Sequence, residues 1–512
     1  MSDWTEGYVA EIDYTYGYYD ELNPMRIAVP FLNVGLAPPD VGTACELGFG
    51  QGVSVNIHAA ASRVRWYGTD FNPAHAAFAQ SLAKASGSGA QLFDQSFAEF
   101  CTRSDLPDFD YIGLHGIWSW ISPENQLVIV DFVRRKLKPG GVLYVSYNTQ
   151  PGHAATAPLQ RLLAEHAEIM AVPGSGILAR ADGALEFTER LLAIKPGFAI
   201  AYPAIAERLK TIKGHNRSYV AHEYFNRHWR AVNFTEMVEG LAAAKLTYAC
   251  SAYYLDHIDA LHLTPDHHRF LSEIPDPMFR QTVRDFIVNQ QFRRDYWVKG
   301  ARRLSALEQA ETLRRLKILM LTRPRSAVAF TVQGAFGQRE LSPGAYNPIL
   351  DVLGDHQPRT IGEVEQALSG TELRLPGIYE AVVVLAGKGD LALMQDDEDQ
   401  AAARVHTDRI NLRLFDKARG DAELPSLASP VTGGGIIVPR FHQLFLLGRT
   451  QKRNSADELA QFVWDLLAAQ NQRVVKDGKT LATPEENLAE LAAQAREFID
   501  QRLPLFQALQ IA

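Results

Sequence analysis

Three glycines at alternate positions close the segment Glu46-Leu-Gly-Phe-Gly-Gln-Gly52, and Asp70 follows 18 residues after the last of them. Few features restrict a fold as tightly. The run Thr43-Ala-Cys-Glu-Leu47 ahead of the glycines is small and apolar, as suits a parallel strand covered on both faces. Glycine alone lets a backbone turn this sharply and lie against a ligand with no Cβ between them. Val53 to Ala61 then reads as a helix, and Val64-Arg-Trp-Tyr-Gly-Thr69 as a second strand that ends at Asp70. A carboxylate at the tip of that strand can accept hydrogen bonds from both hydroxyls of a ribose. The glycine-to-acid spacing is close to the roughly 20 residues this geometry requires.

Strand and helix keep alternating. Asn72 and Pro73 open a helix that runs to Ala85, as cap and first residue. Further strands are expected at Ala90–Phe93, Phe109–Leu114 and Gly141–Ser146, with a helix over Asn125–Leu137 and a turn at Lys138-Pro-Gly-Gly141. Strict alternation predicts an α/β fold with a parallel, doubly wound (Rossmann-like) sheet. Ligands bind such sheets outside the carboxyl ends of the strands. After Pro151-Gly152 the pattern turns mainly helical to about residue 320, with amphipathic stretches such as Pro277–Asn289 and Leu304–Leu321. Beyond Pro324, Ala327–Val332 reads as a strand. Asn347–Leu353, Thr360–Leu368 and Gly377–Gly387 read as helices, and Asp390–Met394 as a strand, an order that resembles a winged helix. Ser455–Ala469 and Thr483–Gln501 are helices with good start signals.

A chain of 512 residues is too long for one compact core. Its formal net charge of −8 argues against a protein that coats nucleic acid, which needs a basic face. The 3 cysteines, Cys45, Cys101 and Cys250, are far apart and form no Cys-x-x-Cys pair, so neither a disulfide frame nor a zinc knuckle is expected. His222-Glu223 lacks a further histidine at the zinc-protease spacing, and His257, His262, His267 and His268 read as a surface loop; no metal site is predicted. No apolar run is long enough for a membrane span, and the start carries no signal core, so a cytoplasmic protein is expected.

Dinucleotide sites use Gly-x-Gly-x-x-Gly; here the spacing is Gly-x-Gly-x-Gly behind Glu46. With Asp70, Asp94, Phe109–Leu114 and Leu137–Gly141, this set resembles the class I S-adenosylmethionine-dependent methyltransferases. Leu114–Ser122, Tyr144–Gly152, Gly214–Arg230, Ser429–Gly435 and Gln443–Leu447 are similar to the bacterial subset that carries a methyltransferase regulatory domain. That subset includes lysine methyltransferases of outer-membrane proteins, from which the run Asp13–Pro24 departs. The resemblance implies S-adenosylmethionine as cofactor and S-adenosylhomocysteine as product. It implies that Glu46 faces the methionine amino end, Gly48 and Gly50 the ribose, and Asp70 the ribose hydroxyls. Phe71 would flank the adenine, and Asp94, Ser96 and Phe97 would touch its edge. The expected division is a lid segment at 1–36, the cofactor domain at 37–152, a helical regulatory region at 153–323, and a winged-helix-like and helical region at 324–512.

Methyl transfer needs a nucleophile held in line, dry, and with a free lone pair. Around the strand ends stand Trp118, Trp120, Tyr14, Tyr16, Tyr18 and Tyr19, whose faces suit a cation. His115 reads as a proton acceptor or a backbone anchor, and Asn148 as an acceptor-orienting amide. The two tryptophans equally suit loop packing, and a histidine here is more often structural. The leading expectation is methylation of a protein lysine amine. O-methylation of a glycan or small molecule, and a cofactor-sensing binding protein, are the alternatives; a homodimer is compatible with either. The helix Gly377–Gly387 is apolar and carries Glu380 where a DNA reader carries arginines, so no nucleic-acid partner is expected.

Overall fold

The computed structural model describes residues 5, 7–12, 14–172 and 174–512. Its centre is a seven-stranded sheet in the order β3-β2-β1-β4-β5-β7-β6. The strands are β1 (Thr43–Leu47), β2 (Arg65–Asp70), β3 (Gln91–Asp94), β4 (Phe109–Leu114), β5 (Leu137–Asn148), β6 (Thr247–Ser251) and β7 (Phe292–Val298). β1 to β5 run parallel, and β7 is antiparallel to both neighbours. The winding reverses between β1 and β4, and a doubly wound sheet opens its ligand crevice at that reversal.

β1 to β4 and the helices Val53–Ala61, Pro73–Ser86 and Pro123–Lys136 lie within two residues of expectation. Asn72 caps its helix through the Ala74 N–H, with Pro73 in the first turn. β5 is longer than expected because the Lys138–Gly141 turn is drawn into the strand. The middle region is mainly helical, but β6 and β7 lie within it and complete the sheet. β7 was hidden by its charges: Phe292-Arg-Arg-Asp-Tyr-Trp-Val298 does not read as a buried strand. Arg293 and Asp295 are nevertheless buried, because Arg293 donates to Asp285 at 2.6 Å and to Asp295 at 2.9 Å, while Tyr147 donates to Asp295 at 2.6 Å. Such charges are tolerated only when paired in this way.

Between β5 and β6, the helices Ala157–Ile169, Ile177–Ala193, Ile205–Gly214 and Arg217–Tyr224 form their own apolar cluster, which takes in Val9 from the N-terminal segment. The C-terminal part packs against the outer side of the Val53–Ala61 helix. That helix is buried at every position, between the sheet and an assembly that includes the helix Asp397–Ala418. Its small and apolar residues suit a doubly covered helix, and its buried Asn56 and His58 are hydrogen-bonded, Asn56 to the Gly52 and Ala79 carbonyls and His58 to the Tyr18 hydroxyl.

The expected helix Leu304–Leu321 is a helix only over Ala306–Arg315; Lys317–Met320 is a strand paired with Arg359–Thr360 and Leu391–Leu393. Tertiary pairing overrides the local pattern there. The expected strand Ala327–Val332 instead begins at Thr331 and forms a hairpin with Gly337–Glu340. The segment read as winged-helix-like contains helices Pro343–Leu353, Ile361–Ala367 and Leu375–Gly387 beside this antiparallel three-stranded sheet. Among the described residues no helix is long and apolar enough to cross a membrane.

Candidate active site

A cavity of about 500 Å³ lies at the carboxyl ends of β1, β2, β4 and β5. The N-terminal segment and the helices between residues 157 and 224 roof it. Its floor begins where β1 ends. Gly48, Gly50 and Gly52 have φ of +72°, +55° and +69°, in the left-handed region that glycine enters at little cost. A Cβ on Gly52 would lie 2.4 Å from the Ala79 Cβ, so glycine here also lets the two flanking helices approach. At Gly50 a Cβ would meet nothing within 4 Å, which leaves an open concavity above the backbone. The Gly50 N–H donates to Asp70 Oδ2 at 2.8 Å and the Asn72 N–H donates to Asp70 Oδ1 at 3.0 Å. The acid therefore fixes the glycine loop while lining the cavity.

Glu46 is only 3% exposed, and its Oε2 has no hydrogen-bond partner among the described residues. Burial, and then the negative charge of Asp70, push its carboxyl well above the usual range. A buried carboxyl with one orphaned oxygen at a cavity wall is suited to a cationic amine. Phe71, Ser96 and Phe97 line the same wall. Asp94 does not: it is exposed at the end of the edge strand, and Gln95 reaches the cavity in its place. The Gln95 carbonyl accepts from the Thr69 hydroxyl, which ties the exit of β3 to β2. Ser96 also caps the helix Phe97–Cys101 through a reciprocal bond with Glu99.

His115 is held at the wall by a 2.8 Å hydrogen bond between Nδ1 and the Tyr144 hydroxyl, and it stacks on Tyr19 at 4.0 Å. Burial, helped by Arg294, pushes its pKa down to about 3, so the imidazole is neutral. Asn148 lines the cavity; its N–H donates to the Ser119 hydroxyl at 2.9 Å, and no hydrogen bond engages its side-chain amide among the described residues. The tryptophans part company. Trp120 lines the cavity, whereas Trp118 is 5% exposed and belongs to the core beneath the sheet.

The tyrosines divide in the same way. Tyr14 and Tyr19 line the cavity. Tyr16 packs on Phe78, and Tyr18 joins His58 and the Gly435 N–H. Asp13, within the expected lid, lies outside the described residues. Sequence reasoning missed Tyr8, Arg208, Tyr219, Glu223 and Trp229, which also line the cavity. The only signal for the last three was their membership of the Gly214–Arg230 motif, which carries no chemistry that spacing alone reveals.

The family model described as a predicted methyltransferase regulatory domain matches residues 216–299. An uncharacterized protein of Synechocystis is 38% identical over 514 residues, spanning 99% of this chain and 100% of the relative. The chain belongs to the class I S-adenosylmethionine-dependent methyltransferases with a regulatory domain. PKMT2 from Rickettsia typhi, solved in complex with AdoHcy, shares the fold with a TM-score of 0.67 at 17% identity, over 95% of this chain and 98% of PKMT2. A further PKMT2 structure gives 0.65 at 17% identity, over 97% and 99%.

The methyltransferase's cavity fits the cofactor of that family. The orphaned Glu46 oxygen would take the methionine amino group, and Gly48 and Gly50 would lie against the ribose. Asp70 would hold the ribose hydroxyls through the lone pairs left free by Gly50, Asn72 and His75, with Phe71 beside the adenine.

Proposed function

We propose that this methyltransferase methylates the side-chain amine of a protein lysine. The observation that carries the reading is the cavity's lining beyond the glycine loop. Trp120, Tyr14 and Tyr19 present aromatic surface there, and the one imidazole among the predicted site residues is neutral. A lysine ammonium with an ordinary pKa near 10.4 costs about 4–5 kcal/mol to deprotonate at pH 7. An enclosed aromatic site lowers that cost by disfavouring the ammonium, while ring faces still attract the cation on entry. A hydroxyl acceptor would instead need a competent base. His115, with its pKa near 3 and its Nδ1 held by Tyr144, is a poor one. This disfavours a hydroxyl acceptor activated by His115.

When bound, S-adenosylmethionine supplies an electrophilic methyl group. The chain's own part is positional. The free amide of Asn148 would accept a hydrogen bond from the amine and aim its lone pair. The N-terminal segment would close over the cavity as a lid and exclude water. The helices between residues 157 and 224 would present the acceptor. Against a nucleic-acid partner, the helix Leu375–Gly387 is buried at Leu375, Ile378, Tyr379 and every position from 381 to 386, and its exposed positions Pro376, Gly377 and Glu380 carry no basic side chain for a phosphate backbone.

The test is a cell extract incubated with the purified protein and cofactor carrying a labelled methyl. Label on protein, stable to mild base and recovered as methyl-lysine after hydrolysis, is the expected result. Label in the polysaccharide or small-molecule fraction refutes the reading.

A further inference from the structure

Glu223 stands on the regulatory helix Arg217–Tyr224, far in sequence from the glycine loop, yet lines the same cavity. Three observations set it apart. First, it has neither a hydrogen bond nor an ion pair with any described residue; burial alone raises its carboxyl, to about 7. Second, its neighbours are phenols from two elements. Its charge acts on Tyr8, Tyr14 and Tyr19 of the N-terminal segment and on Tyr219 and Tyr224 of its own helix. Third, those phenols locate it relative to the cofactor wall. The Tyr8 ring lies 5.7 Å from that of Phe71 and 5.7 Å from that of His222, the neighbour of Glu223, while Tyr19 stacks on His115 at 4.0 Å. Glu223 therefore shares one cavity with Glu46 and Asp70, and the same tyrosines line it. Arg208, which also lines the cavity, donates to the Tyr224 hydroxyl at 3.1 Å.

A lone carboxylate among aromatic rings is the chemistry that recognises an alkylammonium: the carboxylate pairs with the charge and the ring faces surround it. We propose that Glu223, ringed by Tyr8, Tyr14, Tyr19 and Tyr219, receives the ammonium of the acceptor lysine and accepts its proton before methyl transfer. This inference rests on the amine reading above. The proton step balances: the ammonium gives one proton to the Glu223 carboxylate, leaving a neutral amine with its lone pair and a neutral carboxyl. The N–H bond breaks, the O–H bond forms, and the carboxyl later returns the proton to solvent. A carboxyl whose affinity for protons is raised toward neutrality can do this; an ordinary carboxylate holds a proton too weakly.

The test measures binding as well as turnover. Nα-acetyl-lysine methylamide is titrated into the wild type and into Glu223→Gln by ligand-observed NMR, with the neutral norleucine analogue and methyl glucoside as comparators. S-adenosylhomocysteine calorimetry on both proteins checks that the fold and cofactor pocket survive. The expected result is lysine-selective binding by the wild type, weakened roughly 10- to 100-fold in Glu223→Gln, with unchanged S-adenosylhomocysteine affinity. Glu223→Asp, which keeps the charge, should recover part of the loss, and a merely structural role would not show this. Equal lysine affinity in the wild type and Glu223→Gln overturns the role of Glu223 and leaves the amine reading standing. Wild-type preference for methyl glucoside, or for norleucine over lysine, overturns both.

Discussion

Removal of the Asp70 carboxylate is the sharpest probe of the cofactor pocket. Asp70 is 6% exposed and accepts N–H groups from Gly50 at 2.8 Å and Asn72 at 3.0 Å, with His75 Nδ1 at 3.3 Å from Oδ1. Asp70→Ala therefore acts twice. It strips the glycine loop of the acceptor that fixes it, and it removes the charged partner of the ribose hydroxyls. Hydrogen bonds to a charged group contribute about 1.5–3 kcal/mol each. Part of the loss is offset by water entering the space, so about 2–4 kcal/mol of cofactor binding should disappear. That corresponds to roughly a 30- to 1,000-fold rise in Kd. Calorimetric titration with S-adenosylhomocysteine reads it directly, and circular dichroism on the same sample separates lost affinity from lost fold. A well-folded Asp70→Ala protein that binds S-adenosylhomocysteine as tightly as the wild type would refute the placement of the pocket.

The other predictions concern packing, the two tryptophans and pH. Gly52→Ala combines a left-handed backbone with a Cβ 2.4 Å from that of Ala79; it should destabilise by about 2–5 kcal/mol in urea unfolding. Trp118→Ala should cost about 3–5 kcal/mol of stability, as loss of a large core side chain does. Trp120→Ala should leave the unfolding midpoint nearly unchanged but raise the acceptor KM about tenfold, because its ring faces the cavity. Glu223, at about 7 when folded and near 4.3 when unfolded, binds its proton more tightly in the native state. Its contribution is thus fully present below about pH 4 and lost as pH rises through 7. Glu223→Gln should therefore be more stable than the wild type at pH 8, by about 3–4 kcal/mol, and equal to it at pH 4. Thermal melts across that range would show no convergence if the carboxyl titrated normally.

What could be read from residue order alone was whatever is dictated locally. The Gly48–Gly50–Gly52 turn, the strands on either side and Asp70 at the tip of β2 follow from backbone sterics and the periodicity of buried strands. They place the cofactor wall without any contact information. Other features depend on which segments meet in space. The strand β7 escaped notice because Arg293 and Asp295 look like surface residues until Asp285 and Tyr147 arrive to pair with them. Asp94 and Gln95 exchange places at the wall because an edge strand turns one residue outward. Trp118 and Trp120 differ in sequence position by only two residues, yet one enters the core and the other the cavity. Most of all, Glu223 acquires its raised pKa and its tyrosine neighbours only when a helix from the regulatory region folds over the first domain. A charge's free energy is set by what surrounds it, and the surroundings of Glu223 come from segments about 200 residues apart in the chain.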